Sequence, residues 1–297
     1  MKVLVTGANG LIGRKIIQAF LQRKTHQIVA TSQKRIPFNS DVEFFTVNLI
    51  YSDINKIIET IKPDVLIHCA AMASPDACEV DRYSCKKLNV EVTSRFATAC
   101  RDYGTHLLFL STDFVFDGTL GGYTETDTPA PISFYGESKF EAENLIQEMN
   151  IGAVIVRTSL VFGYENHLAR PNIALKVIDH LKNGKPHKVP FDQIRTPTFA
   201  EDLASAVVNI AEKRQSGLFH IAGGEKISVS EFSKRIATVF GFDESLLIPS
   251  STKDLSEPAA RPLNTSLDIA KAKTILNYNP TPLTDSLLLL KEQYQHA

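Results

Sequence analysis

The chain carries little that could cross-link it. Its four cysteines, Cys69, Cys78, Cys85 and Cys100, form no CxxC pair and have no histidine-rich partner segment. This argues against a metal site or a disulfide framework and for unpaired thiols in a reducing compartment. Net charge is also lacking, with 32 Lys plus Arg against 33 Asp plus Glu and no long run of one sign. Non-specific nucleic-acid binding is therefore not expected. No apolar stretch approaches the ~20 residues that span a bilayer, and there is no internal repeat or low-complexity segment. Met1-Lys2 runs straight into an apolar segment, leaving no room for a signal peptide. The expectation is a soluble cytoplasmic protein without membrane partners.

What is present is length and alternation. At 297 residues the chain can bury a full α/β core and carry a smaller second lobe. Short apolar runs predict strands at Lys2–Thr6, Gln27–Thr31, Glu43–Val47, Val65–His68, Leu107–Ser111 and Ala153–Arg157. Between them, Leu11–Arg23, Ser52–Ile61, Ser84–Tyr103 and Phe134–Met149 repeat apolar residues at helical spacing. Strands alternating with helices imply parallel pairing and right-handed crossovers, hence a doubly wound parallel sheet of Rossmann type. Beyond Gly163 segments shorten and Pro171, Pro186, Pro190 and Pro197 punctuate them. Helical patterns persist at Ile173–Leu181, Glu201–Glu212, Ser230–Phe240 and Leu283–Tyr294, with a strand at Gly217–Ile221. The division expected is a dinucleotide-binding domain over 1–163 and a smaller α+β substrate lobe over 164–297, with 197–214 returning to the first.

Gly7-Ala8-Asn9-Gly10-Leu11-Ile12-Gly13 follows the first strand directly and opens an amphipathic helix. Phosphates need backbone N–H donors at close range, and close range needs residues without Cβ. Gly7 suits the tight turn, Gly10 the approach of a pyrophosphate, and Gly13 the packing of helix on strand. The spacing is GxxGxxG, and its position between strand and helix gives it weight. At the end of the second strand an acid would bind the ribose hydroxyls of NAD. This chain has Thr31-Ser32-Gln33-Lys34-Arg35 there instead. Hydroxyls and two cations suit a 2′-phosphate, so NADP(H) is expected, with use of NAD(H) open.

A second constellation lies about 120 residues on, in Tyr135-Gly136-Glu137-Ser138-Lys139. Ketone reduction needs hydride at carbon and a proton at oxygen, and a free phenol, with pKa ~10, is a reluctant proton shuttle. An ammonium one helical turn away is expected to favour phenolate and lower that value. Lys139 has that spacing and could also bind the nicotinamide ribose. Ser111 and Thr112 end a predicted strand at its carboxyl edge, where such sheets bind ligands. Thr112 could hydrogen-bond a carbonyl beside Tyr135. Asp113 reads as a second acid, an orienting group or a turn residue.

These stretches resemble the extended short-chain dehydrogenases/reductases and, within them, the dTDP-4-dehydrorhamnose reductases. Further matches are His68-Cys69-Ala70-Ala71, Leu88-Asn89-Val90, Ser111-Thr112-Asp113-Phe114-Val115-Phe116-Asp117-Gly118, Arg157 to Gly163, Thr196 to Ala204 and Arg261 to Asp268. The resemblance implies reduction of a nucleotide-linked 4-keto-6-deoxy sugar, dTDP-4-dehydro-L-rhamnose in the leading reading, with Thr112, Tyr135, Lys139 and Asp113 as catalytic residues. It implies a cofactor site built from Gly7, Asn9, Gly10, Leu11, Ile12, Gly13, Ser32, Lys34, Arg35, Asn48, Leu49, Cys69, Ala70, Ala71, Asn89, Tyr135 and Lys139. It places Thr112, Phe114 and Arg261 at the substrate, with the Arg261 guanidinium suited to a diphosphate.

There are departures. Phe114 stands where the family usually has tyrosine. Lys15 replaces a glutamate that in some relatives belongs to a magnesium-bridged dimer, so that assembly is not expected; a homodimer of another kind stays open. The stretch from Ser74 to Glu79 matches the family's loop only loosely. Two alternatives remain. The scaffold also resembles the dinucleotide-binding regulatory subunit of methionine adenosyltransferase, which need not turn over. A sugar-nucleotide epimerase or dehydratase would share Tyr135 and Lys139.

Overall fold

The fold is described from a computed structural model, covering residues 1–34, 41–166, 168 and 170–296. The first half alternates β1 (Lys2–Thr6), α1 (Leu11–Arg23), β2 (Gln27–Ser32), β3 (Val42–Thr46), α2 (Ile54–Ile61) and β4 (Val65–His68). It continues through α3 (Pro75–Val80), α4 (Arg82–Lys86), α5 (Val92–Tyr103), β5 (His106–Thr112), α6 (Phe134–Glu148) and β6 (Val154–Thr158). The second half has shorter pieces. These are β7 (Val161–Phe162), α7 (Ile173–Lys182), β8 (His187–Pro190), β9 (Ile194–Arg195), β10 (Thr198–Phe199), α8 (Ala200–Glu212) and β11 (Gly217–His220). Then come β12 (Ile227–Ser228), α9 (Val229–Phe240), β13 (Leu247–Ser250), α10 (Thr252–Leu255), α11 (Ala270–Leu276) and α12 (Leu283–Gln295).

Seven strands form one sheet in the order β11-β6-β5-β4-β1-β2-β3, and every pair in it is parallel. Such strands are covered on both faces, which explains their unbroken apolar runs. Val3 and Val5 of β1 point to one face, where Ile16 and Phe20 of α1, Leu203 and Val207 of α8 and Ala272 of α11 cover them. Leu4 points to the other, beneath Ile58 of α2, Phe96 of α5 and Ala142 of α6. A separate core joins Val177 of α7, Ile236 of α9 and Leu287 of α12 with Phe162, Phe199 and Val189. Thus α8, β11 and α11 belong by packing to the sheet, although the chain reaches them after entering the third core.

One local reading is revised. The single helix expected over Ser84–Tyr103 is α4 and α5 joined by a π-helical turn, Lys87–Glu91. The stretch after Ser74, which matches the family's loop only loosely, forms α3, capped by the Ser74 hydroxyl accepting from Ala77 N–H at 3.3 Å and opened by Pro75, whose missing N–H is harmless there. The chain runs from β1 outward to β2 and β3, then crosses to β4, β5 and β6. The reversal between β1 and β4 leaves a crevice at the strands' carboxyl ends, where ligands of open α/β sheets bind.

Candidate active site

That crevice opens into a cavity of about 810 Å³. Its first wall is the turn after β1. Gly7 adopts φ +67°, and a Cβ there would lie 2.7 Å from the Ala70 backbone nitrogen, so only glycine fits. Ala8 N–H donates to Thr31 C=O at 3.1 Å, fixing the turn against β2. Gly7, Gly10, Leu11, Ile12 and Gly13 all line the cavity. The first turn of α1 thus presents its unpaired N–H groups to the space a pyrophosphate would fill. This backbone cradle fits a dinucleotide.

The flanks divide the expected residues. Ser32, Leu49, Cys69, Ala70 and Ala71 line the cavity, with Gln33 and Val47, which sequence reasoning missed. Asn9 does not line it; its Nδ2 donates to Lys34 C=O at 2.6 Å, tying the glycine turn to the loop after β2. Lys34 is exposed outside the lining, and Arg35 lies outside the described residues. Asn48 turns into its own loop, its Oδ1 accepting from Ile50 N–H at 3.2 Å. Asn89, in the π-helical turn, is buried behind the wall. Its Oδ1 accepts from Met72 N–H at 2.8 Å, and its Nδ2 donates to Ser138 Oγ at 3.0 Å. It fixes the Ala70–Met72 backbone against α6. Beneath this wall His68 joins Thr6 at 2.8 Å to Thr93 at 3.0 Å. Burial pulls its pKa down to about 3, so it stays neutral.

The opposite wall comes from β5 and α6. Thr112 ends β5, and its hydroxyl accepts from Phe114 N–H at 3.2 Å, capping a single 3₁₀ turn. The first turn of α6 presses on that turn through Gly136, where a Cβ would overlap the Phe114 carbonyl. This contact brings Tyr135 and Lys139 to the cavity beside Thr112, Asp113 and Phe114. The Thr112 hydroxyl and the Tyr135 phenol line the same cavity, and the Phe114 ring meets Tyr135 edge-on, centroids 5.8 Å apart. Lys139 Nζ donates to Leu110 C=O at 2.7 Å and sits 3.9 Å from the centroid of the Phe109 ring.

The expected lowering of the phenol by the ammonium is not what the geometry yields. Burial pushes the Tyr135 pKa up, outweighing the lowering influence of the Thr112 hydroxyl, and the Asp113 charge pushes the same way as burial. Burial also pulls Lys139 down to about 8, against the field of Glu143. Helical spacing brings the two groups near each other but carries no information on desolvation, and here desolvation wins.

Asp113 is 3 % exposed. It accepts from Ser159 Oγ at 2.9 Å, Thr112 Oγ1 at 3.2 Å and the Thr265 hydroxyl, with Arg195 Nε 3.7 Å away. Burial raises its pKa despite these partners. Arg195 is 2 % exposed and donates to the carbonyls of Ile194, Leu263 and Pro262 at 2.7, 3.2 and 2.7 Å. Arg261 lines the cavity but is already engaged, with Asp76 at 2.6 Å and Glu257 at 3.2 Å. The second half adds Lys176 of α7 and His187 and Lys188 of β8, none of them singled out from sequence. For Arg195 the one signal was its place beside the quoted Thr196-Pro197-Thr198. Lys15 pairs with Glu201 at 2.8 Å and Glu165 at 3.5 Å. Among the described residues no cluster of His, Cys, Asp or Glu is arranged to hold a metal ion, and no helix is long and apolar enough to cross a membrane.

A parallel seven-stranded sheet, a glycine turn at its switch point and a Tyr-x-x-x-Lys helix facing it define an extended short-chain dehydrogenase/reductase fold. More narrowly, the chain belongs to the family described as the RmlD substrate binding domain, whose model matches residues 1–295. It is 32 % identical over 280 residues to methionine adenosyltransferase 2 subunit beta of Rattus norvegicus, covering 92 % of this chain and 82 % of that one. It is 31 % identical over 299 residues to the probable low-salt glycan biosynthesis reductase Agl14 of Haloferax volcanii, covering 99 % and 98 %. Among solved structures, a dTDP-4-dehydrorhamnose reductase from Clostridium acetobutylicum superposes with TM-score 0.86 at 29 % identity over 99 % of this chain and 100 % of that one. One from Bacillus anthracis in complex with NADP gives 0.84 at 26 % identity over 98 % and 99 %.

Proposed function

We propose that this protein is an NADP(H)-dependent reductase of a nucleotide-linked 4-keto-6-deoxy sugar, with dTDP-4-dehydro-L-rhamnose as its substrate. The observation that carries the reading is the cavity wall on which Thr112, Tyr135 and Lys139 converge opposite the glycine turn. A bound reduced nicotinamide supplies the hydride. Tyr135 gives its proton to the sugar oxygen, and a phenol held protonated by burial is suited to that direction of reaction. Thr112 polarises the same oxygen once its hydroxyl hydrogen turns from Asp113 toward it, and Lys139 holds the cofactor ribose. Asp113, still held by Ser159, Thr265 and Arg195, takes no proton in the step. Lys176 and Lys188 offer cationic groups for the sugar-nucleotide diphosphate, alongside Arg261, and His187, lowered by burial and by its neighbours His180 and Lys176, offers a neutral imidazole. Ser32 and Lys34, with no acid at the end of β2, suit a 2′-phosphate. The Bacillus anthracis relative carries NADP and the Haloferax relative is named a reductase, which supports the reading.

A second reading is favoured by the identity to methionine adenosyltransferase 2 subunit beta: a dinucleotide-binding regulatory subunit. One experiment separates the two. NADPH consumption with dTDP-4-dehydro-L-rhamnose is expected for the wild type, falling by about 10²–10⁴-fold in Tyr135→Phe while NADPH affinity is kept. Tight NADPH binding with no turnover of keto-sugar nucleotides overturns the reductase reading in favour of the regulatory one.

A further inference from the structure

One helical turn beyond Lys139 lies Glu143, 0 % exposed. Its carboxylate accepts from Arg157 Nε at 3.0 and 3.1 Å, from Arg157 Nη2 at 2.6 Å and from the Ser111 hydroxyl. Arg157 comes from β6 and is itself buried, its guanidinium carbon 5.0 Å from the centroid of the Phe116 ring and its Nη1 without a partner. A buried ion pair is weak evidence for stability, because apolar replacements of equal volume often serve as well. What distinguishes this pair is its neighbour. Lys139 is a second buried cation, and among the described residues its hydrogen bond goes to the neutral carbonyl of Leu110.

We propose that Glu143 is a positioning residue: anchored by Arg157 and Ser111, its carboxylate keeps the Lys139 ammonium charged within the dry wall of the cavity, so that a cofactor ribose meets a cation. Burial drives Lys139 toward neutrality, and Glu143 is the strongest influence opposing it. The other groups facing this corner are few. His68 of β4 is held neutral, with its pKa pulled to about 3 by burial. The Cys69 thiol is pushed up to about 12 by burial, and Cys78 of α3 is also pushed up, chiefly by hydrogen bonding with Cys85. Cys85 of α4 is lowered by that hydrogen bond and by Ser138. Tyr135 is raised by burial, and Asp113 lies on its side of the site.

The inference rests on the proposed dinucleotide site but not on the keto-sugar. It is tested on the full chain by NADPH affinity between pH 6.5 and 9.5, read by fluorescence. Wild type is expected to lose affinity as Lys139 deprotonates, and Lys139→Met is expected to lack that alkaline limb. Glu143→Gln is expected to move the limb down by about one pH unit, whereas Arg157→Met, which leaves the carboxylate unneutralised, moves it up. The double variant Glu143→Gln/Arg157→Met has no buried pair to strand and must reproduce the downward shift; this keeps the test decisive if a single variant fails to fold. A purely structural pair predicts equal effects of the two single substitutions and recovery in the double. Either of those results, or a limb that survives Lys139→Met, overturns the proposal. Absence of sugar turnover would sink the reductase reading while leaving these binding profiles intact.

Discussion

Gly7 and Gly10 stand three residues apart in the same turn, yet their substitution by alanine should fail in different ways. At Gly7 the backbone is left-handed, which costs a side chain roughly 1–2 kcal/mol. The new Cβ would also sit 2.7–2.9 Å from backbone atoms of Ala70 and Cys69. Those atoms follow β4, which is locked to β1 through the Val3–Val65 to Thr6–His68 register, so they cannot retreat cheaply. Overpacking of this kind adds roughly 1–3 kcal/mol, and reduced freedom of the unfolded chain returns less than about 1 kcal/mol. The net loss is about 2–4 kcal/mol, or a melting temperature lower by roughly 3–6 °C for a chain of this size. At Gly10 the backbone is extended and the nearest atom to a Cβ is the Gly7 carbonyl at 3.4 Å. Gly10→Ala should therefore cost under about 1 kcal/mol of stability, chiefly through a poorer helix cap. Its methyl group instead occupies space lining the cavity, where roughly 1–3 kcal/mol of steric conflict with a pyrophosphate weakens NADPH by about 5–150-fold. Differential scanning calorimetry and NADPH titration on both variants measure the two effects separately. Wild-type NADPH affinity in Gly10→Ala, or an unchanged melting temperature in Gly7→Ala, would refute this account of the turn.

Two further outcomes follow from buried charge. His68 and His220 are both held near pKa 3 by burial, while unfolded histidine titrates near 6.5. The unfolded state therefore binds more protons between these values, and stability falls as pH drops below about 6.5, by about 1.4 kcal/mol per unit for each histidine. Urea unfolding at pH 7.5, 6 and 5 should show this slope, to which the lowered His106 and His187 add, and His68→Gln should reduce it by about 1.4 kcal/mol per unit; an unchanged slope contradicts the neutral, buried assignment. In the Asp113–Arg195 pair, either Asp113→Asn or Arg195→Met strands a buried partner, at about 3–5 kcal/mol. The double substitution should cost at least about 1 kcal/mol less than the sum of the singles, and strict additivity in chemical denaturation would show that the two groups do not interact.

The elements nearest the amino terminus were the most legible in sequence. Val3, Leu4 and Val5, the glycine turn and the helical period of α1 all agree locally with the fold that contains them, and no distant residue is needed to interpret them. The catalytic-type triplet was legible for a related reason: Thr112 ends a strand, and Tyr135 and Lys139 share one helix face. Three things were not. The π-helical turn follows from Asn89 reaching Met72 and Ser138, contacts across the fold that periodicity does not register. Burial, which sets the protonation of Tyr135 and Lys139, depends on walls contributed by several elements. Lys176, His187, Lys188 and Arg195 come from segments whose local patterns carry no sign that they line the same cavity as the glycine turn.

The pairing of β11 with β6 has a consequence for how the protein comes into being. Val154 of β6, paired with Leu108 of β5 on one side, finds its partner on the other side in Gly217 of β11, and Leu203 and Val207 of α8, which cover one face of the sheet, also emerge late. A nascent chain that has just completed β6 therefore displays a bare parallel edge and an apolar face that only α1 covers. Both invite association with other chains. Synthesis up to Gly163 yields a sheet without its outer strand and without two of its helical covers, α8 and α11. The 1–163 fragment, which lacks the 197–214 segment expected to return to it, is thus the species most exposed to aggregation, and protection lasts only from the moment β11 docks.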